Sequence, residues 1–380
     1  MNAPLHRDAM LDRLRGLAAL AVVFFHYLYK GPKEGWMHAE RLGVLSDMAA
    51  YGYLGVHLFF MISGYVIMMT AQQAAVRQFV ASRVARLVPA FWVCAALTVL
   101  VEWVIPSAPF HLQSASQWLA NLTLVPSWFG QDAIDGAYWS LAVEINFYVW
   151  VAGIIALGQL RRAELILLAW LGVSMVNLVR PMYPVQLYLN AHWAPLFAAG
   201  ALFFLVRQSG WTRRRAVSIA LAFVLACGYA WREAGAVSEW GSLLRFTSRT
   251  NHLLVLALIA VFFGAFLKLV ATRVPDGPTP TSDMMGRLTY PLYLVHQNIG
   301  YALFNAAVAA GWVASLGVGA VTLGLIVVSL LMAWLVNVFI EQPVGPWLRR
   351  LIGGKRDKHG RSSAREHMDN KPSAATGGST

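Results

Sequence analysis

Leu11-Asp12-Arg13-Leu14-Arg15-Gly16-Leu17-Ala18-Ala19-Leu20-Ala21-Val22-Val23-Phe24-Phe25-His26-Tyr27 decides the class of this protein. From Leu17 to Phe25 no side chain is polar, charges crowd the start, and a single histidine stands near the end. Arg15 and His26 are eleven residues apart, about three helical turns plus 20°, so both side chains lie on one helix face. Their axial separation is about 16 Å, roughly half the hydrocarbon core of a bilayer. A guanidinium at the membrane edge and an imidazole deep inside, on one face, mark the two ends of a site.

The rest of the chain extends this pattern. Hydrophobic residues make up 58% of the 380 and charged residues 13%, half the charge that a soluble domain carries. Mean hydropathy is +0.55. The sequence is that of an integral membrane protein, an all-α polytopic bundle. Ten apolar segments are long enough, or nearly so, to cross a bilayer. They run over 11–29, 52–70, 86–105, 138–157, 164–180, 185–206, 214–231, 252–271, 286–309 and 314–340. No small-residue cleavage site follows the first, which reads as a retained helix. Cys94 and Cys227 both sit in apolar runs, so neither a disulfide framework nor metal-ligand spacing is expected.

A net charge of +12 would suit nucleic acid, but membrane topology accounts for it without a nucleic-acid partner. With the N-terminus cytoplasmic and ten spans, 23 of the 30 Lys and Arg fall on the inner side. The outer side keeps only Lys30, Lys33, Arg41, Arg180, Arg232, Arg245 and Arg249. This is the positive-inside pattern, and it puts both termini in the cytoplasm. Residues 1–350 form the membrane domain. Residues 351–380 are polar, basic and Gly/Ser-rich, the composition of a disordered tail. The long outer loop over 106–137 is rich in aromatic and small polar residues, suited to sugar binding or to interfacial anchoring.

Ionisable groups inside spans are costly and become candidates for function. On this topology His26 lies about 22 Å from the inner edge, Glu144 about 9 Å below the outer edge and His57 about 8 Å below it. Three titratable groups from three helices thus share a depth. A His26–Glu144 pair would serve as a general base oriented by a carboxylate; the alternative is a structural hydrogen bond between helices. His296, in the ninth segment, either lines the same cavity or is a satisfied core histidine. Arg83 and Arg86, three apart on one face, would join Arg15 in a cationic mouth for phosphates; the alternative is ordinary inner-side charge. A Cys94 acyl-enzyme is conceivable, although buried cysteine is usually packing.

These residues together resemble the acyltransferase-3 family of integral membrane O-acyltransferases, over about residues 10–345. Leu11-Asp12-x-Leu14-Arg15-Gly16 with His26 matches the family's first-helix signature, an Arg, ten residues, then a His. The run from Gly55 through His57 and Ser63 to Tyr65 resembles its second-helix motif, and Arg83-x-x-Arg86-Leu87-x-Pro89 its Arg-x-x-Arg motif. Tyr138-Trp139-Ser140-Leu141-x-x-Glu144-x-x-Phe147-Tyr148 is similar to its Trp-Ser-Leu-x-x-Glu block. Tyr290-x-x-Tyr293-Leu294-x-His296 and Glu341-Gln342-Pro343 resemble its late motifs. The family commonly has an acidic residue where His57 stands, which leaves the role of His57 open. The chain also lacks the soluble hydrolase-like domain that some members carry.

The resemblance implies transfer of an acyl group, usually acetyl, from cytoplasmic acyl-CoA to a hydroxyl, with no permanently bound cofactor and no metal. The acceptor would be an envelope or secreted carbohydrate, met at the outer side of a bacterial inner membrane, free or as a lipid-linked oligosaccharide. His26 and Glu144 would be catalytic, and Arg15, Arg83 and Arg86 would bind CoA. Asp12, His57, Ser63, Trp139, Ser140, Tyr293 and His296 would line the site. Other acceptors, such as a macrolide, fit the same family. A transporter is the rival from another class, but no inverted repeat is present.

Overall fold

The computed structural model describes residues 8–105, 112–239, 250–272, 277 and 279–353. These residues are helical with no strand among them. The long helices are α1 (Ala9–Phe25), α2 (Leu54–Ala71), α3 (Val76–Val104), α4 (Trp139–Ala156), α5 (Ala163–Val179), α6 (Ala194–Ser209), α7 (Arg213–Glu239), α8 (His252–Ala271), α9 (Pro280–Val295), α10 (Gln297–Ala309), α11 (Val318–Val336) and α12 (Gln342–Gly353). Each of the ten apolar segments is helical over most of its length, the sixth being broken after a short helix at Tyr183–Leu189, the ninth divided into α9 and α10, and the tenth broken at Gly317. Among the described residues, eight stretches are long and apolar enough to cross a membrane. Beyond Gly353, the expected tail lies outside the described residues.

Two helices form the centre. The spans containing α2 and α6 are 78% and 83% buried in protein, against 28–39% for the other six. The outer helices therefore turn most of their apolar surface outward, with Trp103, Val179 and Leu323 among the exposed side chains. Such a surface suits lipid and not water. The centre closes on small residues. A Cβ on Gly64 of α2 would stand 2.1 Å from the Phe197 carbonyl oxygen of α6, and one on Gly200 of α6 would stand 1.9 Å from that of Met61. Only glycine allows this crossing, the usual device for close packing between membrane helices.

Helix ends explain where the polar groups sit. The Asp8 carboxylate caps α1 by accepting from the Met10 N–H at 3.0 Å and pairs with Arg207 at 3.1 Å. At its far end α1 widens into a π-helical turn over His26–Lys30, a local irregularity common at functional positions. A second irregularity separates α9 from α10 at His296. Backbone groups released at such a break must find partners inside the protein. They do: Tyr138 donates to the Leu294 carbonyl at 3.1 Å, and Tyr27 donates to that of His296 at 2.6 Å. The N–H of Asn298, in the first turn of α10, donates to the Asp135 carboxylate at 3.1 Å.

Three boundaries differ clearly from those the sequence predicts; the ninth segment, expected from 286, begins at Pro280 as α9. The third segment was placed from residue 86, but α3 begins at Val76, so Arg83 and Arg86 stand on the helix. The seventh was ended at 231, but α7 runs to Glu239. Its buried side extends through Ala226, Ala230, Ala234 and Val237, so packing carries the helix past the charged Arg232 and Glu233.

Candidate active site

Two cavities lie side by side in the bundle. Arg15 of α1, Ser63 of α2, Arg83 and Arg86 of α3, and Ser140, Glu144 and Tyr148 of α4 line the first. The three arginines expected at the inner side thus line one cavity. Arg15 is 3.6 Å from Asp12, a buried residue that lines neither cavity. The Arg83 guanidinium lies 5.8 Å from the Tyr148 ring centroid, within range of a cation–π interaction.

His26, Lys30, Tyr53, His57, Trp139, Trp193 and Glu233 line the second cavity. Trp139 and Trp193 are tilted by 32° with centroids 5.3 Å apart. Glu233 bridges two histidines: His57 Nε2 is 2.8 Å from one carboxylate oxygen and His192 Nε2 is 2.9 Å from the other. Where the resembled family commonly has an acidic residue, His57 thus brings in a carboxylate from α7.

The expected His26–Glu144 pair is not formed. Glu144 accepts from Ser63 Oγ at 2.8 Å and makes a short hydrogen bond with the Tyr148 hydroxyl. Matching depth does not fix the direction in which side chains point. Ser140 stands at the junction between the cavities, its Oγ 2.7 Å from the Tyr293 hydroxyl. Glu144 follows one helical turn later, about 6 Å along the axis, and faces the arginines.

His26 is partnered by His296. Its Nδ1 lies 2.8 Å from the Val22 carbonyl oxygen and 3.2 Å from His296 Nε2. His296 Nδ1 is 2.9 Å from the Tyr293 carbonyl oxygen. Carbonyl oxygens only accept, so both Nδ1 atoms carry the proton in the neutral rings. His296 Nε2 is then an acceptor facing His26 Nδ1–H, and His26 Nε2 is left with its lone pair. The sequence offered His296 as a cavity residue or a core residue; it is wholly buried and stands behind His26.

Glu233, His192 and Trp193 were absent from the sequence reading. Glu233 lies beyond 231, where the sequence predicts the end of the seventh segment, and α7 continues past it. The spacing of Ala226, Ala230, Ala234 and Val237 would have carried the helix past it. In the loop over 106–137, Asn121 is buried and serves the loop itself, donating to the Asp132 carbonyl at 2.9 Å, whereas the buried Asp135 ties the loop to the start of α10. Residues 106–111 lie outside the described residues. Cys94 is fully buried and lines neither cavity. Among the described residues, no group of three or more His, Cys, Asp or Glu is arranged to hold a metal ion.

Comparison with known proteins agrees with this architecture. The family model described as an acyltransferase domain matches residues 8–338. The chain is similar to Acyltransferase MdmB of Streptomyces mycarofaciens, 24% identical over 383 aligned positions that cover 91% of this chain and 92% of that protein. It is similar to Nodulation protein 10 of Rhizobium leguminosarum bv. viciae, at 25% identity covering 81% and 86%. It is also similar to Peptidoglycan O-acetyltransferase OatA of Listeria monocytogenes, at 27% over 194 residues. That match covers 44% of this chain and 28% of the longer relative. No solved structure matches the chain. With the family model spanning most of the bundle and both cavities inside it, the chain belongs to the acyltransferase-3 family of membrane acyltransferases.

Proposed function

We propose that this acyltransferase moves an acetyl group from acyl-CoA to a hydroxyl of an envelope or secreted carbohydrate. The observation that carries the reading is the adjacency of two unlike cavities. One is lined by Arg15, Arg83 and Arg86, which suit the phosphates of CoA. The other holds His26 beside a tryptophan pair and a carboxylate, which suit a sugar ring and its hydroxyls. The roughly 16 Å from Arg15 to His26 along α1 is comparable to a pantetheine arm.

The chemistry follows from the tautomer of His26. Its Nε2 removes the proton from the acceptor hydroxyl as that oxygen attacks the thioester carbonyl carbon. The Ser140 hydroxyl turns from Tyr293, whose own proton stays on the Ala137 carbonyl, to donate to the oxygen of the tetrahedral intermediate. Collapse breaks the carbon–sulfur bond, and the imidazolium returns its proton to the departing thiolate. The Val22 carbonyl fixes the tautomer of His26, and His296 acts by helping to hold its ring. Glu144 acts on the donor side, where its bond to Tyr148 steadies the ring against which Arg83 rests.

The charge distribution along the chain supports ten spans with both termini cytoplasmic, in a bacterial inner membrane. Acyl-CoA then enters from the inside and the acceptor is met near the outer side, as free glycan or lipid-linked oligosaccharide.

The test is base-labile acetate on envelope and secreted glycans of a deletion strain complemented with wild type or with His26→Ala, at equal membrane levels. Acetate restored only by wild type is the expected result. Restoration by both variants would remove His26 from the chemistry. No acetate difference between deletion and wild type would overturn acetylation of these glycans and turn attention to a small-molecule acceptor or to transport.

A further inference from the structure

The two cavities share two lining residues, Val56 of α2 and Tyr293 of α9. On the acyl-transfer reading, the acyl group must pass between them to reach His26. We propose that Val56, which with Tyr293 lines both cavities, is the acyl-size filter of the enzyme: it admits acetyl and discriminates against longer acyl chains.

Neither wall can move aside. The Tyr293 hydroxyl donates to the Ala137 carbonyl at 3.0 Å and lies 2.7 Å from Ser140 Oγ. Its ring packs edge-on to Phe59, with centroids 6.0 Å apart. Val56 is 7% exposed, and a β-branched side chain in a helix has one strongly preferred rotamer. Its backbone is pinned as well. A Cβ on the neighbouring Gly55 would stand 2.5 Å from the Ala18 carbonyl oxygen of α1. More than two turns along α2, Gly64 is locked against α6. The opening therefore depends on the covalent size of residue 56, not on a hinge. A close-packed wall of this kind responds to single methylenes, and one methylene in an apolar site changes specificity by about 10-fold or more.

The experiment uses membranes of the deletion strain carrying the full chain, so that the native acceptor is present. Radiolabelled acetyl-, propionyl- and butyryl-CoA are supplied separately, and label in the glycan and lipid-linked fractions is followed. Wild type is expected to prefer acetyl over propionyl by about 10-fold or more. Val56→Ala should raise the propionyl-to-acetyl and butyryl-to-acetyl ratios by about 10-fold, and Val56→Ile should lower the propionyl-to-acetyl ratio. Ratios that stay at the wild-type value in both variants, at equal membrane levels, overturn the filter while leaving acyl transfer intact. Absence of label from every donor with wild type overturns the acyl-transfer reading itself, and the filter with it.

Discussion

His26 Nδ1 and His296 Nε2 meet at 3.2 Å, joining two helix irregularities whose residues are 270 positions apart in the chain. One is the π-helical turn that opens at His26; the other is the break between α9 and α10. Each ring also points its Nδ1 at a backbone carbonyl, Val22 for one and Tyr293 for the other. This chain of bonds has one direction, and it ends on the unprotonated Nε2 of His26.

Substitutions at two positions separate the base from the residue that positions it. His26→Asn removes the proton acceptor and is expected to lower kcat by about 10²- to 10⁴-fold. His296→Ala leaves the base in place but frees its ring. A fall of about 10-fold in kcat is expected, with KM for acyl-CoA and acceptor unchanged, because positioning matters most in the transition state. His296→Gln, whose side-chain oxygen can accept from His26 Nδ1–H, should recover part of the loss. Steady-state kinetics of the purified variants checks this. Equal loss in His296→Ala and His296→Gln, or a rise in KM alone, would sink the positioning role.

Glu144 belongs to the donor cavity, and its substitution should be felt there. Glu144→Gln weakens a charge-assisted bond to Tyr148, and such bonds are worth about 1.5–3 kcal/mol. Tyr148 supports Arg83. KM for acyl-CoA is therefore expected to rise about 10-fold, with a smaller change in kcat. Titration with acyl-CoA at saturating acceptor reads this directly. A large loss of kcat at constant KM would instead return Glu144 to the proton-transfer chain.

The acceptor cavity should give the mirror image. Glu233→Gln leaves His57 and His192 with a neutral amide, and Trp193→Ala removes half of the tryptophan pair. Both are expected to raise the acceptor KM by about 10-fold while acyl-CoA KM stays at the wild-type value. A change in acyl-CoA KM alone would place Glu233 and Trp193 on the wrong substrate. His57→Gln tests whether the carboxylate needs its histidine partner: retained acceptor KM would make His57 a packing residue.

Much of this was readable from residue order. The apolar runs had to be helices because a bilayer accepts little else, and the charge asymmetry followed from them. Arg15, Arg83 and Arg86 were found because helical spacing puts the last two on one face and Arg15 at the same inner edge. The partner of His26 was not readable. Depth along a helix axis follows from counting residues, whereas the direction in which a side chain points depends on how neighbouring helices are rotated. Glu144 and His26 satisfied the first condition and failed the second. Counting puts His296 nearer mid-membrane than His26, and only the way α9 packs against α1 brings the two rings together. Glu233 was missed for a different reason: Arg232 and Glu233 read as loop, while the small residues around them allow α7 to stay packed beyond the apolar run.

Asp135 supplies a pH prediction outside the spans. Its carboxylate accepts from the N–H of Ala137 at 2.8 Å and from that of Asn298 at 3.1 Å, tying the loop before α4 to the start of α10. Burial pushes the carboxyl up to about 7, although both N–H groups and the Lys30 charge favour the ionised form. In the unfolded chain the same group titrates near 3.9. Between about pH 4 and pH 7 the native state therefore holds a proton that the unfolded state has lost, and stability falls as pH rises through that window. The thermal midpoint of the detergent-solubilised wild type is expected to be lower at pH 8 than at pH 5. Asp135→Asn keeps a side-chain oxygen for the Ala137 N–H and removes the titration, so its midpoint should change less over the same range. Circular dichroism melts at the two pH values measure the difference. Equal slopes for wild type and Asp135→Asn would mean that Asp135 ionises without cost, and that the tie between the loop and α10 is not what pH disturbs.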